Sequence, residues 1–139
     1  MSPDKAPQHL VFISHSGTDT WIAKQIARAV AECGASHFLD VSAVEIGDDF
    51  EEKILEALNQ AEEFLVLLTP WATGRKYIWA ESGAAWIRKI PIVTILYRIT
   101  KEELQADPDI PIFIKKRDLI DINELDNYFQ QLKIKMQGG

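Results

Sequence analysis

The chain has 139 residues, of which 47% are hydrophobic and 26% charged, with a net charge of −6, so one soluble domain with a single sizeable core is expected over residues 1–139. The acidic balance disfavours a nucleic-acid groove, which needs clustered Lys and Arg; the densest basic run, Lys115-Lys116-Arg117, meets Asp118 at once and reads as a solvated rim, with a local anion site as the other reading. A single cysteine, Cys33, excludes an internal disulfide framework and reads as core, while polar first residues and no apolar run near the ~20 residues of a bilayer span point to a cytoplasmic protein without membrane contact, or to a cytoplasmic portion of something larger.

Leu10-Val11-Phe12-Ile13 reads as a strand that stops at Ser14-His15-Ser16-Gly17-Thr18-Asp19. Thr18 or Asp19 can cap the following helix, whose apolar positions Trp21, Ile22, Ile26, Ala29 and Val30 recur at helical spacing, and Gly34 ends it. His37-Phe38-Leu39 forms a short second strand, followed by a loop from Asp40 to Gly47. A helix from Asp48 to Asn59 then places Phe50, Ile54, Leu55 and Leu58 on one face, with acids at its start to complement the helix dipole.

Phe64-Leu65-Val66-Leu67-Leu68 has no alternation, the signature of a strand covered on both faces. After the Thr69–Gly74 loop comes a helix ending near Lys89, then a central strand, Ile92 to Tyr97. Lys101–Ala106 reads as a turn or two of helix before breaks at Pro108 and Pro111, and Asp118–Ile122 as a weak edge strand. The final helix, Asn123 to about Met136, buries Leu125, Tyr128, Phe129 and Leu132, and the core spans about residues 9–136. Five strands alternating with helices imply an α/β, doubly wound, five-stranded parallel sheet of flavodoxin-like order 2-1-3-4-5, with helices on both faces. In that order the topological switch lies between strands 1 and 3.

Glu81 is the only charged side chain between Tyr77 and Ile87. A lone carboxylate among apolar neighbours either reaches water at a helix edge or faces a cleft that uses its charge. The strand order sets it beside the crevice, next to the loops that hold Ser14–Asp19 and Thr69–Gly74. The first loop offers hydroxyls, an imidazole and a helix N-terminus suited to phosphate or ribose, although without other support an ordinary capped turn is the favoured reading. It is neither a Walker A sequence nor a dinucleotide fingerprint. A triad of Ser14 or Ser16 with His15 and Glu81 lacks the nucleophile elbow, and the scattered His9, His15 and His37 offer no metal site. A phosphoryl-receiver domain is excluded, because Ser14-His15 and Thr69-Pro70 stand where it needs acids. Of the clustered aromatics, Trp86 is assigned to the core and Trp71 to the crevice. Val44 and Ile46 either tuck inward or form a protein contact.

Four motifs in order resemble the Toll/interleukin-1 receptor (TIR) domain, in its bacterial, NAD-cleaving branch. Phe12-Ile13-Ser14-His15-Ser16 is similar to the family's first box, Asp40–Gly47 through Phe50 to its BB loop, Leu67-Leu68-Thr69-Pro70 to the strand that normally ends in Ser-Pro, and Tyr77-Ile78-Trp79-Ala80-Glu81 to Trp-x-x-x-Glu. The resemblance implies cleavage of the nicotinamide–ribose bond of NAD+, to ADP-ribose or a cyclic product, with Glu81 catalytic. Ser14, His15, Ser16, Asp40, Trp71 and Tyr77 are the implied substrate-binding residues, and Val44, Glu45, Ile46 and Gly47 the assembly loop. NAD+ would be substrate, with no cofactor and no metal. Self-association, a role in immune or anti-phage defence and a partner sensor domain are further implications. The alternative is a non-catalytic TIR–TIR adaptor; a third reading is a nucleotide sensor or deoxyribosyltransferase-like enzyme. The chain departs from the pattern at Tyr77 for Trp, Thr69 for Ser, and Arg75-Lys76 for a Ser-containing pair.

Overall fold

The computed structural model describes residues 9–39, 48–116 and 119–138, with no side-chain description at 48–50. Five parallel strands, β1 (Leu10–Ser14), β2 (Ser36–Leu39), β3 (Glu63–Leu68), β4 (Ile92–Leu96) and β5 (Leu119–Asp121), form one sheet in the order β2-β1-β3-β4-β5. This is the flavodoxin-like order that the alternation of elements implies. All six residues of β3 are buried, as the unbroken apolar run requires of a strand with helices over both faces.

The two-residue repeat of the strands divides the core. On one face Phe12, Phe64, Val66, Leu68, Ile92 and Leu96 meet α2 (Asp48–Gln60), α3 (Lys76–Arg88), α4 (Lys101–Ala106) and α5 (Ile112–Lys115). On the other, Val11, Ile13, Leu65, Leu67 and Ile95 meet α1 (Thr20–Glu32) and α6 (Leu125–Gly138). Across the first face Phe12 stacks on Phe38 of β2 at 5.2 Å and on Phe64 of β3 at 5.5 Å, both its partners in register. Each such pair contributes about 0.5–1.5 kcal/mol beyond its buried area.

Helix ends follow local chemistry. Gly34, one residue past the Cys33 cap of α1, adopts φ 97°, a conformation that glycine reaches without a Cβ penalty. Thr100 and Glu103 make a reciprocal capping box that starts α4. Arg88 donates from one guanidinium nitrogen to the carbonyls of Leu58 and Ala61, both at 2.7 Å, and so satisfies the C-terminal end of α2.

At the start of β3 the carboxylate of Glu63 is buried; Tyr128 of α6 donates its hydroxyl to Oε2, and His9 Nε2 lies 3.0 Å from Oε1. Burial first, and then the Glu63 charge, push the Tyr128 phenol far above its ordinary range. Cys33 is half-buried rather than fully core, its thiol donating to the Phe129 carbonyl at 3.3 Å, and burial raises its pKa.

Several expectations about faces need correction. The buried stripe of α1 is Ala23, Ile26, Ala27 and Val30, and Trp21, two positions off that stripe, is 72% exposed. In α2 the stripe falls on Ala57 and Leu58, leaving Leu55 outside. Trp86 is half-exposed rather than core: the buried stripe of α3 runs through Ile78, Glu81, Ser82 and Ala85, and Trp86 lies one step round it. Its ring stacks at 4.7 Å on Phe113 of α5, a short helix that begins directly after Pro111, where a break was expected. Proline fits a helix start because its missing N–H has no partner there in any case. The last helix starts at Leu125 after a 3-10 turn, Ile122–Glu124, capped by Asp121. Lys115 donates to the carbonyl of Gln105 and belongs to a contact as much as to a rim. Arg117, Asp118, and the loop residues Asp40 to Gly47 lie outside the described residues.

Candidate active site

β1 ends at the switch point, and the next residues turn inward instead of leaving the protein. Ser14, His15 and Ser16 are each at most 1% exposed. Ser14 points to the same face as Phe12, towards α3, and its Oγ donates to Glu81 Oε1 at 2.8 Å. Glu81 is 6% exposed and shares the buried stripe of α3. The one carboxylate of the Tyr77–Ile87 segment is therefore an inward-facing group. One turn earlier on the helix, Tyr77 is half-buried and its hydroxyl donates to the backbone carbonyl of His15 at 2.7 Å.

The loop itself folds as a 3-10 turn, Gly17–Asp19, whose first N–H groups need acceptors. Ser16 Oγ accepts from the Thr18 amide at 3.3 Å. Thr20 Oγ1 donates to the Gly17 carbonyl at 2.8 Å and lies 3.4 Å from His15 Nε2. Asp19 precedes α1 in the cap position, yet its side chain makes no capping hydrogen bond. Instead its buried carboxylate accepts from Thr69 Oγ1 at 2.6 Å, and Thr69 Oγ1 in turn accepts from the Ala72 amide at 3.1 Å. The expectation that Thr18 or Asp19 caps the helix through its side chain gives way to a cross-link between the loops after β1 and β3.

Of the residues singled out by sequence, the fold thus brings together Ser14, His15, Ser16, Tyr77 and Glu81. Trp71 lies in the loop after β3, 44% exposed, just before the 3-10 turn Ala72–Gly74. Arg75 and Lys76 are exposed at the start of α3. Asp40 and Val44, Glu45, Ile46 and Gly47 fall outside the described residues. Asp19 and Thr69 are what sequence reasoning missed. The available signal was their position: both sit in loops that the strand order makes neighbours. Among the described residues no group of three or more His, Cys, Asp and Glu side chains could hold a metal ion.

A parallel α/β sheet of order 2-1-3-4-5, with a buried helical carboxylate held by the end of its first strand, defines a flavodoxin-like domain with its candidate site at the switch point. Within that class, a sequence model of the TIR domain matches residues 11–133. The chain belongs to the TIR family. It is 29% identical over 114 residues to the "Probable 2' cyclic ADP-D-ribose synthase BdTIR" of Brachypodium distachyon, a match covering 78% of this chain and 50% of that protein. The chain thus spans about half the length of this curated relative.

Similar solved structures include a metazoan TIR-STING receptor from C. gigas in complex with 2',3'-cGAMP, at TM-score 0.68 and 16% identity, over 93% of this chain and 41% of that one. The TIR domain of the Toll-related receptor TRR-2 from Hydra magnipapillata follows at 0.59 and 20%, over 88% and 97%. The TIR domains of the activated Roq1 resistosome, which directly recognises the pathogen effector XopQ, match at 0.60 and 15%, over 94% and 84%. These structures share the fold. Among the described residues, no helix is long and apolar enough to cross a membrane.

Proposed function

We propose that this TIR domain cleaves the nicotinamide–ribose bond of NAD+, with Glu81 as the catalytic carboxylate. The observation that carries the reading is the buried Glu81 on α3, held by Ser14 Oγ at the switch point of the sheet. The relative named as a probable 2' cyclic ADP-D-ribose synthase supports it from a second direction.

The chemistry suits one carboxylate. The bond breaks with its electron pair passing to the nicotinamide ring nitrogen, which is cationic in NAD+ and becomes neutral on departure. No proton has to reach the leaving group, so the acid that ordinary glycosidases need has no task here. The ribose left behind is oxocarbenium-like, and a carboxylate aimed at it stabilises the developing positive charge. Such a preorganised group is worth about 2.7–4 kcal/mol, on the order of 10²–10³ in rate. Water then adds at the ribose carbon and loses a proton to give ADP-ribose; addition of a hydroxyl of the same molecule gives a cyclic product.

In this reading the Ser14–Ser16 segment, the Tyr77 ring and Trp71 flank the substrate, Arg75 and Lys76 face its pyrophosphate, and Asp40 completes the set. Glu81 is nearly covered, so admitting a dinucleotide requires the surrounding loops to move. Self-association through Val44–Gly47 is the assigned trigger, with a cytoplasmic defence response, immune or anti-phage, as the setting.

The test is nicotinamide release from NAD+ by concentrated or artificially clustered protein, compared with Glu81→Gln. Release by wild type and a fall of at least ~100-fold in the variant are expected. Equal turnover by both proteins, or none by either while a control TIR enzyme is active, would falsify the reading. A second reading, a non-catalytic interaction module, draws on the exposed apolar side chains Trp86, Ile87 and Ile112. It expects pull-down of a TIR partner that is unchanged by Glu81→Gln.

A further inference from the structure

We infer that Tyr77 is a positioning residue for the Glu81 carboxylate, acting through its phenol hydroxyl on the backbone of the first loop. The inference rests on the NAD-cleaving reading only for its kinetic consequences.

Two successive residues, Ser14 and His15, are held by two residues one turn apart on α3. Glu81 Oε1 accepts from Ser14 Oγ at 2.8 Å, and the Tyr77 hydroxyl donates to the His15 carbonyl at 2.7 Å. Residues 77 and 81 are about 6 Å apart along a helix axis, while successive residues of an extended chain advance about 3.3 Å. The grip is therefore oblique: one contact sits beyond the end of β1, at the first loop residue, and the other on the last residue of the strand. The Tyr77 bond fixes the direction in which the backbone leaves Ser14, and with it the direction from which Ser14 Oγ approaches the carboxylate.

The acceptor is a backbone carbonyl, so the clamp holds whatever side chain stands at position 15. It does depend on what stands at 77. Tyr77 occupies the place where the family pattern has Trp, and an indole donates only through its ring N–H, from a different point and in a different direction. Phenylalanine keeps the ring and removes only the donor. The departure at Tyr77 thereby places a phenol donor where the family pattern has an indole, and that donor is spent on the His15 carbonyl. The neighbouring Asp19–Thr69 bond ties the far end of the same loop to the loop after β3, so the tyrosine governs the segment between two fixed ends, Ser14 and Asp19.

The test compares wild type, Tyr77→Phe, Tyr77→Trp and Glu81→Gln by steady-state nicotinamide release, by the ratio of linear to cyclic product, and by amide hydrogen exchange of the segment 14–20. Tyr77→Phe is expected to lower kcat about 10-fold, the usual effect of one hydrogen bond, with KM within twofold. It is also expected to speed exchange of the 14–20 segment several-fold while the rest of the sheet stays protected. Tyr77→Trp should not restore kcat and should alter the product ratio. Wild-type kcat in Tyr77→Phe, or exchange in 14–20 that does not change, overturns the inference. So does a loss of activity that merely follows a global loss of protection. If wild type releases no nicotinamide, the NAD-cleaving reading is what fails, and the exchange data alone decide whether the tyrosine holds the loop.

Discussion

Replacing Ser14 with alanine removes one oxygen from the centre of the site and nothing else. Ser14 is fully buried and Glu81 is 6% exposed, so water cannot readily replace the 2.8 Å hydrogen bond between them. A buried hydrogen bond to a charged group is worth about 1.5–3 kcal/mol. Unfolding entropy of about 2.1 cal/mol/K per residue over 139 residues amounts to about 0.3 kcal/mol/K. Ser14→Ala should accordingly lower Tm by roughly 5–10 °C. A double-mutant cycle with Glu81→Ala isolates the pair, because the alanine at 14 costs nothing further once the carboxylate is gone. Urea unfolding of the four proteins is expected to give a coupling of at least ~1 kcal/mol. Additivity within ~0.5 kcal/mol would refute the bond and remove the structural basis for calling Glu81 a held carboxylate.

Two further expectations concern parts of the fold distant from the site. Arg88→Met removes the two 2.7 Å bonds to Leu58 and Ala61 at the end of α2; since the residue is partly solvated, a loss of about 1–2 kcal/mol is expected, and a melting shift below 2 °C would show that the guanidinium does not clamp the helix. Tyr128, held protonated by burial and by Glu63, has a pKa raised above its reference of 10.0. Below pH 10 both folded and unfolded chains keep that proton and its stabilisation is complete; above it the unfolded chain loses the proton first, so stability should fall by about 1.4 kcal/mol per pH unit. Tyr128→Phe lacks this contribution, and an alkaline slope identical to wild type in urea titrations at pH 9 to 11 would contradict the buried phenol.

The sheet was legible because its determinants are local and redundant. An unbroken apolar run such as Phe64–Leu68 admits few alternatives, and alternation of such runs with helical patterns fixes the class. Glu81 was legible for the opposite reason, as a charge with no neighbours to excuse it. What the pattern could not supply was phase. Trp21, Leu55 and Trp86 each belong to an apolar periodicity, but hydrophobicity alone does not say which side of a 100° step meets the sheet, and smaller residues (Ala23, Ala57, Ala85) took the buried positions. Asp19 was misread because an acid before a helix usually caps it; its carboxylate answers Thr69, fifty positions away. α5 was hidden by reading Pro111 as a break when it serves as a start.

The pairing of β1 between β2 and β3 also has a consequence for the order in which the protein is made. Ser14 and Glu81 stand 67 positions apart, so the site cannot exist until a ribosome has released α3, long after β1 itself. Until then β3, apolar from Phe64 to Leu68, has only α2 over that face, and its free edge awaits β4. A nascent chain stalled between Leu68 and Lys76 would be sticky and inert. The carboxylate and the helix that adds cover to β3 then arrive together and β4 closes the edge afterwards, so the chain acquires its candidate reactivity as it begins to lose its aggregation hazard.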